Sequence, residues 1–329
     1  MKKILVTGGC GFIGSHFVKQ QINKGNFIIN IDKITYAGNL ENVASIANHP
    51  NYIFCKADIN EANLIEDLLN KHQINWVVNF AAESHVDNSI FAPEIFIKTN
   101  INGTYSLLNA SLNYYKKLNA SEKLNFCFLH VSTDEVFGSL QPNDAPFTEN
   151  SRYQPNSPYS ASKASSDHLV RAWQETYKLP TIITNCSNNY GPNQHPEKLI
   201  PTIIRSCINL KDIPIYGNGA NIRDWIYVED HCAGINLALN HGKTNKIYLF
   251  GGENELKNIE IANKICEIMD KIYPKIDKTS YKNQIKFVAD RQGHDFRYAI
   301  DNSNSYSELG FKPSKSFEER IIETIKFFI

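Results

Sequence analysis

A chain of 329 residues is long enough to bury a substantial core, as one large domain or two ordinary ones. Its 34 Lys+Arg balance 34 Asp+Glu, so no global basic field draws it to nucleic acid, and 42% hydrophobic with 21% charged residues is an ordinary globular composition. No apolar run approaches the roughly 20 residues of a helical membrane span, which argues against a membrane role.

The chain opens on Met1-Lys2-Lys3-Ile4-Leu5-Val6, a signal-like start, but glycines follow at once and a buried strand over Lys3–Thr7 accounts for it better. Thr7-Gly8-Gly9-Cys10-Gly11-Phe12-Ile13-Gly14 then leads into a helical pattern over Ile13–Lys24. Gly8, Gly11 and Gly14 stand three apart between strand and helix. Such glycines permit a tight turn, close approach of backbone to a pyrophosphate, and close helix–strand packing, with the helix N-terminus facing the negative charge.

The next strand, Phe27–Ile31, ends at Asp32, close to the spacing expected of a carboxylate that accepts hydrogen bonds from a ribose. A carboxylate there repels a 2′-phosphate, so NAD is preferred to NADP, although neighbouring Lys33 leaves some tolerance for the latter. A third strand, Tyr52–Lys56, is followed by Asp58-Ile59, which could edge an adenine or simply close the strand. Helical patterns over Glu61–Lys71, Glu94–Lys117 and Tyr159–Lys178 alternate with strands at Trp76–Phe80, Phe126–Ser132 and Thr181–Asn185. Several strands are apolar on consecutive positions, the mark of a parallel sheet covered on both faces. The alternation predicts a doubly wound, Rossmann-type α/β sheet.

Two features of this first half carry chemistry. Tyr159 and Lys163 are four apart, on one face of a helix, where an ammonium can lower a phenol's pKa and grip a nicotinamide ribose. Such a tyrosine can take the proton of a sugar hydroxyl while hydride leaves the same carbon. Ser132-Thr133-Asp134-Glu135 follows the fifth strand, and two adjacent carboxyls can serve as acid and base if their surroundings push their pKa values apart.

After Tyr190-Gly191-Pro192 the pattern changes to short strands (Ile213–Tyr216, Ile247–Phe250, Ile285–Val288) among helices near Lys198–Asn209, Val228–Asn240, Asn258–Asp270 and Phe317–Phe328. This predicts a nucleotide-binding domain over 1–190 and a smaller mixed α/β substrate lobe over 191–329, closely joined, with some segments returning to the first domain. The seven cysteines are scattered without a C-x-x-C pair, so neither a zinc site nor a disulfide framework is expected, and reduced thiols in the cytoplasm are the default. Asn-x-Ser triplets at Asn109 and Asn119 read as chance in so Asn-rich a chain.

The glycine turn and the Tyr159/Lys163 pair together resemble the extended short-chain dehydrogenase/reductase family across essentially the whole chain. Asn156-Ser157-Pro158-Tyr159-Ser160-Ala161-Ser162-Lys163, Asn185-Cys186-Ser187-Asn188-Asn189-Tyr190-Gly191-Pro192, Glu197-Lys198-Leu199-Ile200-Pro201, Arg223-Asp224-Trp225 and Asp290-Arg291-Gln292-Gly293-His294-Asp295 are similar to the dTDP-glucose 4,6-dehydratase pattern within it. Gln292 departs from the usual proline. Epimerases of the family lack the adjacent Asp-Glu pair.

The resemblance implies catalysis by Thr133, Asp134, Glu135, Tyr159 and Lys163. It implies NAD bound by Gly8, Gly11, Phe12, Ile13, Gly14, Asp32, Lys33, Thr35, Asp58, Ile59, Ala81, Ala82, Ser84, Thr99, Ser132, Tyr159, Lys163 and Asn189. A nucleotide-sugar substrate would meet Ser84, Thr133, Asn188, Glu197, Lys198, Pro214, Tyr216, Arg223, Asn258, Arg291, His294 and Tyr298. Arg223 and Arg291 are the natural pyrophosphate partners through forked donors, and Pro214-Ile215-Tyr216 is expected near the base. No metal is implied. A homodimer through the outer faces of the helices at 94–117 and 159–178 is. The alternatives are a 4-epimerase, a 4,6-dehydratase of another nucleotide sugar and, more remotely, a non-catalytic NAD-binding regulator.

Overall fold

The computed structural model describes residues 1–290 and 293–329. Its strands in chain order are β1 (Lys3–Thr7), β2 (Phe27–Asp32), β3 (Tyr52–Lys56), β4 (Trp76–Asn79), β5 (Cys127–Thr133), β6 (Thr181–Cys186), β7 (Asn188–Tyr190), β8 (Ile213–Tyr216), β9 (Ile222–Tyr227), β10 (Lys246–Phe250), β11 (Glu255–Lys257) and β12 (Ile285–Val288).

Seven of them form one parallel sheet in the order β10-β6-β5-β4-β1-β2-β3. β5 and β6 are buried at every position, as a sheet covered on both faces requires. Alternate residues feed two cores. Ile4, Val6, Trp76, Val78 and Leu129 face the helices Phe12–Asn23 and Val228–His241. Leu5, Val77 and Phe128 face Ala62–His72, Thr104–Lys117 and Pro158–Tyr177. The chain runs outward from β1 through β2 to β3 and then crosses back to β4 on the other side of β1. That reversal opens a crevice at the C-terminal strand ends.

The second lobe has its own core, built from Ile200, Ile203, Ile213, Ile215, Trp225, Ile261, Ile265 and Ile321. A three-stranded sheet, β11-β9-β7, and a parallel pair, β12-β8, frame it. β10, from the second half of the sequence, pairs with β6 and extends the large sheet.

The expected single helix over 94–117 is not one regular helix. A turn of helix at Pro93–Phe96 passes into a π-helical stretch, Ile97–Gly103, before α-helix resumes at Thr104. The wider turn lets the Asn100 side chain reach inward, where its Oδ1 accepts from the Glu83 N–H at 2.8 Å and its Nδ2 donates to the Glu83 carbonyl at 3.0 Å and to Ser162 Oγ at 2.8 Å. Asn119 caps a short helix in a capping box rather than standing free. All seven cysteines are unpaired, and no helix among the described residues is long and apolar enough to cross a membrane.

Candidate active site

A cavity of about 630 Å³ lies over the crevice, and every residue expected to bind NAD lines it. Gly8, in left-handed backbone at φ +69°, leaves no room for a side chain, because an added Cβ would fall 2.7 Å from the Ala81 nitrogen. Gly14 packs so tightly on the turn that its Cβ would meet the Gly8 carbonyl oxygen at 2.3 Å. At Gly11 an added Cβ would meet nothing nearer than the Gly8 oxygen at 3.2 Å, so its open side faces the cavity. Gly11 also starts the helix Phe12–Asn23 without any side-chain cap, leaving the first N–H groups to an outside acceptor. These features fit a dinucleotide pyrophosphate.

Asp32 Oδ2 accepts from the Cys10 N–H at 2.9 Å and Oδ1 from the Ile34 N–H at 2.8 Å, so the carboxylate is aimed by backbone at the end of β2. Burial raises its pKa, and those two bonds oppose the rise. Lys33 reaches Asp58 Oδ2 at 2.7 Å, which engages the cation that otherwise favours a 2′-phosphate.

The other end of the cavity holds Thr133, Asp134, Glu135, Tyr159 and Lys163 together. Tyr159 sits in the first turn of the helix Pro158–Tyr177, which Ser157 opens with a capping box and Pro158 at its first position. Lys163 is one turn on, and its Nζ donates to the Val131 carbonyl at 2.8 Å. Burial brings its pKa down to about 8. The expected lowering of the phenol does not occur. Burial first, then the Glu135 carboxylate, hold Tyr159 well above the ordinary value, while a bond to Thr133 opposes them. The lysine exerts no leading effect because its ammonium is turned to the carbonyl of β5.

Asp134 is 2% exposed, and burial with the Glu135 and Asp224 charges holds its carboxyl far up in pKa. Its Oδ1 receives the Thr133 hydroxyl at 3.3 Å, and Oδ2 has no hydrogen-bond partner. The Thr133 hydroxyl also accepts from the Glu135 N–H at 3.3 Å. The two neighbouring carboxyls thus stand in unlike surroundings, one sealed and the other half-buried.

The expected substrate residues divide. Ser84, Thr133, Asn188, Glu197 and Lys198 line the cavity, and Asn188 Oδ1 is buried without a partner. Glu197 lies 3.1 Å from His85 and 3.4 Å from His195, while Lys198 donates to the Ser84 carbonyl at 3.1 Å. Pro214, Tyr216, Arg223, Asn258, His294 and Tyr298 do not line it. Pro214 and Tyr216 present exposed positions of β8, and His294 meets the Tyr216 ring edge-on and Asp290 Oδ1 at 2.6 Å. Asn258 begins the helix Asn258–Ile272. Tyr298 donates to Asp295. Arg223 lies 4.3 Å over the Tyr298 ring and donates to the Ile222, Asp295 and Phe296 carbonyls. Its charge still lowers Asp134, and Glu135 raises Tyr298, so this cluster adjoins the acid pair. Arg291 and Gln292 lie outside the described residues.

Sequence reasoning passed over Glu83, Tyr36, His195 and Cys186, which also line the cavity. Glu83 had a signal, its place just beyond the C-terminal end of a central strand. Tyr36, edge-on to His195 at 5.4 Å, had none, since the contact joins loops far apart in the chain.

A family model described as GDP-mannose 4,6 dehydratase matches residues 5–324. The dTDP-glucose 4,6-dehydratase of Shigella flexneri is 52% identical over 99% of this chain and 92% of its own length. The chain belongs to the dTDP-glucose 4,6-dehydratase family. Its relative from Haemophilus influenzae is 47% identical over 100% of this chain and 98% of that protein. Among solved structures, the family member DesIV from Streptomyces venezuelae, determined with NAD bound, superposes with a TM-score of 0.89 at 40% identity, covering 99% of this chain and 96% of that one. The seven-stranded sheet and crevice are therefore the family's frame.

Proposed function

We propose that this chain dehydrates dTDP-glucose to dTDP-4-keto-6-deoxyglucose with NAD as its cofactor. The observation that carries the reading is the sealed carboxyl of Asp134, its Oδ2 without a hydrogen-bond partner, beside Glu135 on the same cavity wall as Tyr159. An oxidoreductase acting on a hydroxyl needs Tyr159 and Lys163 alone; an acid and a base beside them suit the removal of water. Relatives about half identical to the chain carry this activity in their names.

NAD would be held by the glycine turn, Asp32 and Lys163, and the chemistry it supplies when bound is a two-electron acceptor for C4, a donor for C6 and a positive charge. Positive charge in the cavity opposes the effect of Glu135 on the phenol. With that charge and the Lys163 ammonium favouring its ionised form, the Tyr159 phenolate would take the proton of the 4-hydroxyl, and Thr133 and Ser84 would steady that oxygen. With C4 at the ketone level the C5 hydrogen is acidic, and Glu135 removes it. Asp134, whose protonated form burial and neighbouring carboxylates favour, gives its proton to the departing 6-hydroxyl. Lys198, Arg223 and Arg291 serve the diphosphate, with Asn188 and Asn258 on sugar or phosphate oxygens, and β8 with His294 near the base.

We propose further that two copies pair through Phe91, Ile97, Tyr105 and Tyr177, each about half or more exposed on neighbouring helices. The unpaired thiols suit a reducing compartment, and we place the protein in the cytoplasm.

Incubation with dTDP-glucose, followed by mass spectrometry, is expected to yield a product lighter by one water, faster than with UDP-glucose or GDP-mannose. A product of unchanged mass would make the chain an epimerase, and preference for another nucleotide would remove the thymidine assignment.

A further inference from the structure

Beneath Lys163, away from the cavity, lies a fully buried polar array that the chemistry above does not use. His130 and Asp167 are 0% and 2% exposed, among other buried polar side chains that include Thr7, Asn79 and Asn185. His130 Nε2 stands 3.3 Å from Lys163 Nζ and 3.5 Å from Asp167 Oδ1.

The Ala81 N–H donates to Thr7 Oγ1 at 3.4 Å, and the Thr7 hydroxyl donates to Asn79 Oδ1 at 2.6 Å. Asn79 presents its amide nitrogen to Thr104 Oγ1 at 3.4 Å and to His130 Nδ1 at 3.1 Å. A nitrogen that accepts carries no proton, so in neutral His130 the proton sits on Nε2. Asp167 Oδ1 lies 3.5 Å from that nitrogen and has no hydrogen-bond partner. Oδ2 accepts from Ser132 Oγ at 2.8 Å and Tyr153 OH at 2.9 Å, with Asn185 Nδ2 at 3.5 Å. Lys163 Nζ lies 3.3 Å from the same ring nitrogen and donates to the Val131 carbonyl at 2.8 Å.

We infer that Asn79, His130 and Asp167 are positioning residues: Asn79 fixes the tautomer of His130, which stands between Asp167 and Lys163 and keeps the lysine charged and in place at the cavity wall. This rests on the dehydratase reading above. Asp167 is the nearby anion that opposes the desolvation of Lys163, and Cys186 acts in the same sense from β6. Tyr153 faces the carboxylate and Tyr159 stands one turn away on the lysine's own helix. Burial and the lysine charge keep His130 neutral, so it transmits alignment without competing for the proton.

The test has two arms. Activity against pH is compared for wild type and Asp167→Asn, with thermal melting as the check of folding. Wild type should lose kcat as pH rises through about 8, where Lys163 loses its proton. Removing the anion should move that limb down by about one unit or more, so that at pH 9 the variant is roughly tenfold further below wild type than at pH 6. A folded variant whose limb stays in place would overturn the inference, however low its kcat. The second arm uses unmodified protein and no turnover. Two-bond ¹H–¹⁵N correlation of the histidine rings, with His130 assigned by its loss in His130→Gln, should show the Nε2–H tautomer from pH 6 to 8. An Nδ1–H tautomer or a charged ring in that range would contradict the role given to Asn79 and overturn the inference. If wild type fails to dehydrate dTDP-glucose, the functional reading falls while this second arm still decides the network.

Discussion

Burial and two neighbouring carboxylates make the charged form of Asp134 costly and so favour its protonated form. The same features that make it an acid make it a burden on the fold. For a carboxyl raised in the folded state, stability is fully present below the unfolded pKa and is lost as pH climbs through the folded one. Asp134→Asn keeps the shape but has no proton to give. Its kcat should fall about 10²–10⁴-fold. Its melting temperature should exceed that of wild type by a margin widening from pH 6 to pH 9. A variant that melts lower throughout would show that Asp134 is held by partners and not by isolation. At Tyr159 the residue types alone placed an ammonium near the phenol but gave no sign of the burial and the Glu135 charge that outweigh it. Spacing places an ammonium near a phenol. It does not say that the Val131 carbonyl claims that ammonium at 2.8 Å.

The elements that read clearly in the sequence are those with an apolar run bounded by turn residues, whatever their burial. β1, β3, β8 and β12 stand where apolar runs placed them, and the helices at 62–72, 158–177 and 317–328 fall within a residue of expectation. β7 and β11 were not legible because each is three residues long and half polar, and gains its place only by pairing with β9. β9 itself, Ile222–Tyr227, carries Arg223 and Asp224, charges that usually speak against a buried strand. Here Asp224 accepts from the Gly252 N–H at 2.8 Å and the Asn254 N–H at 2.7 Å, and so is satisfied within the fold. The cavity's glycine end was legible for the opposite reason, since its geometry is local to one turn. The π-helical stretch at Ile97–Gly103 was hidden because its purpose is tertiary. Asn100→Leu would strand the Glu83 N–H and carbonyl without partners. It should cost about 2–5 kcal/mol in urea unfolding. A loss of under about 1 kcal/mol would show that other groups can satisfy Glu83.

For the whole molecule, the large sheet supplies the cofactor end of the cavity, and β7 with the loop through His195 to Lys198 closes over its other side. The proposed pairing face includes Tyr177, at the end of the helix Pro158–Tyr177 that carries Tyr159 and Lys163, so association would stiffen the element that holds both. Phe91→Glu with Ile97→Glu should convert a dimer to a monomer in sedimentation at micromolar concentration; a wild-type monomer there would refute the pairing. The central claim is that oxidation, loss of water and reduction occur on one sugar within this cavity. Turnover of dTDP-glucose in D₂O, with the product read by NMR, tests it most directly. The account predicts one solvent deuterium at C5 and the substrate's own C4 hydrogen at C6. Solvent deuterium at C6, or an epimerised sugar that has kept its water, would contradict it.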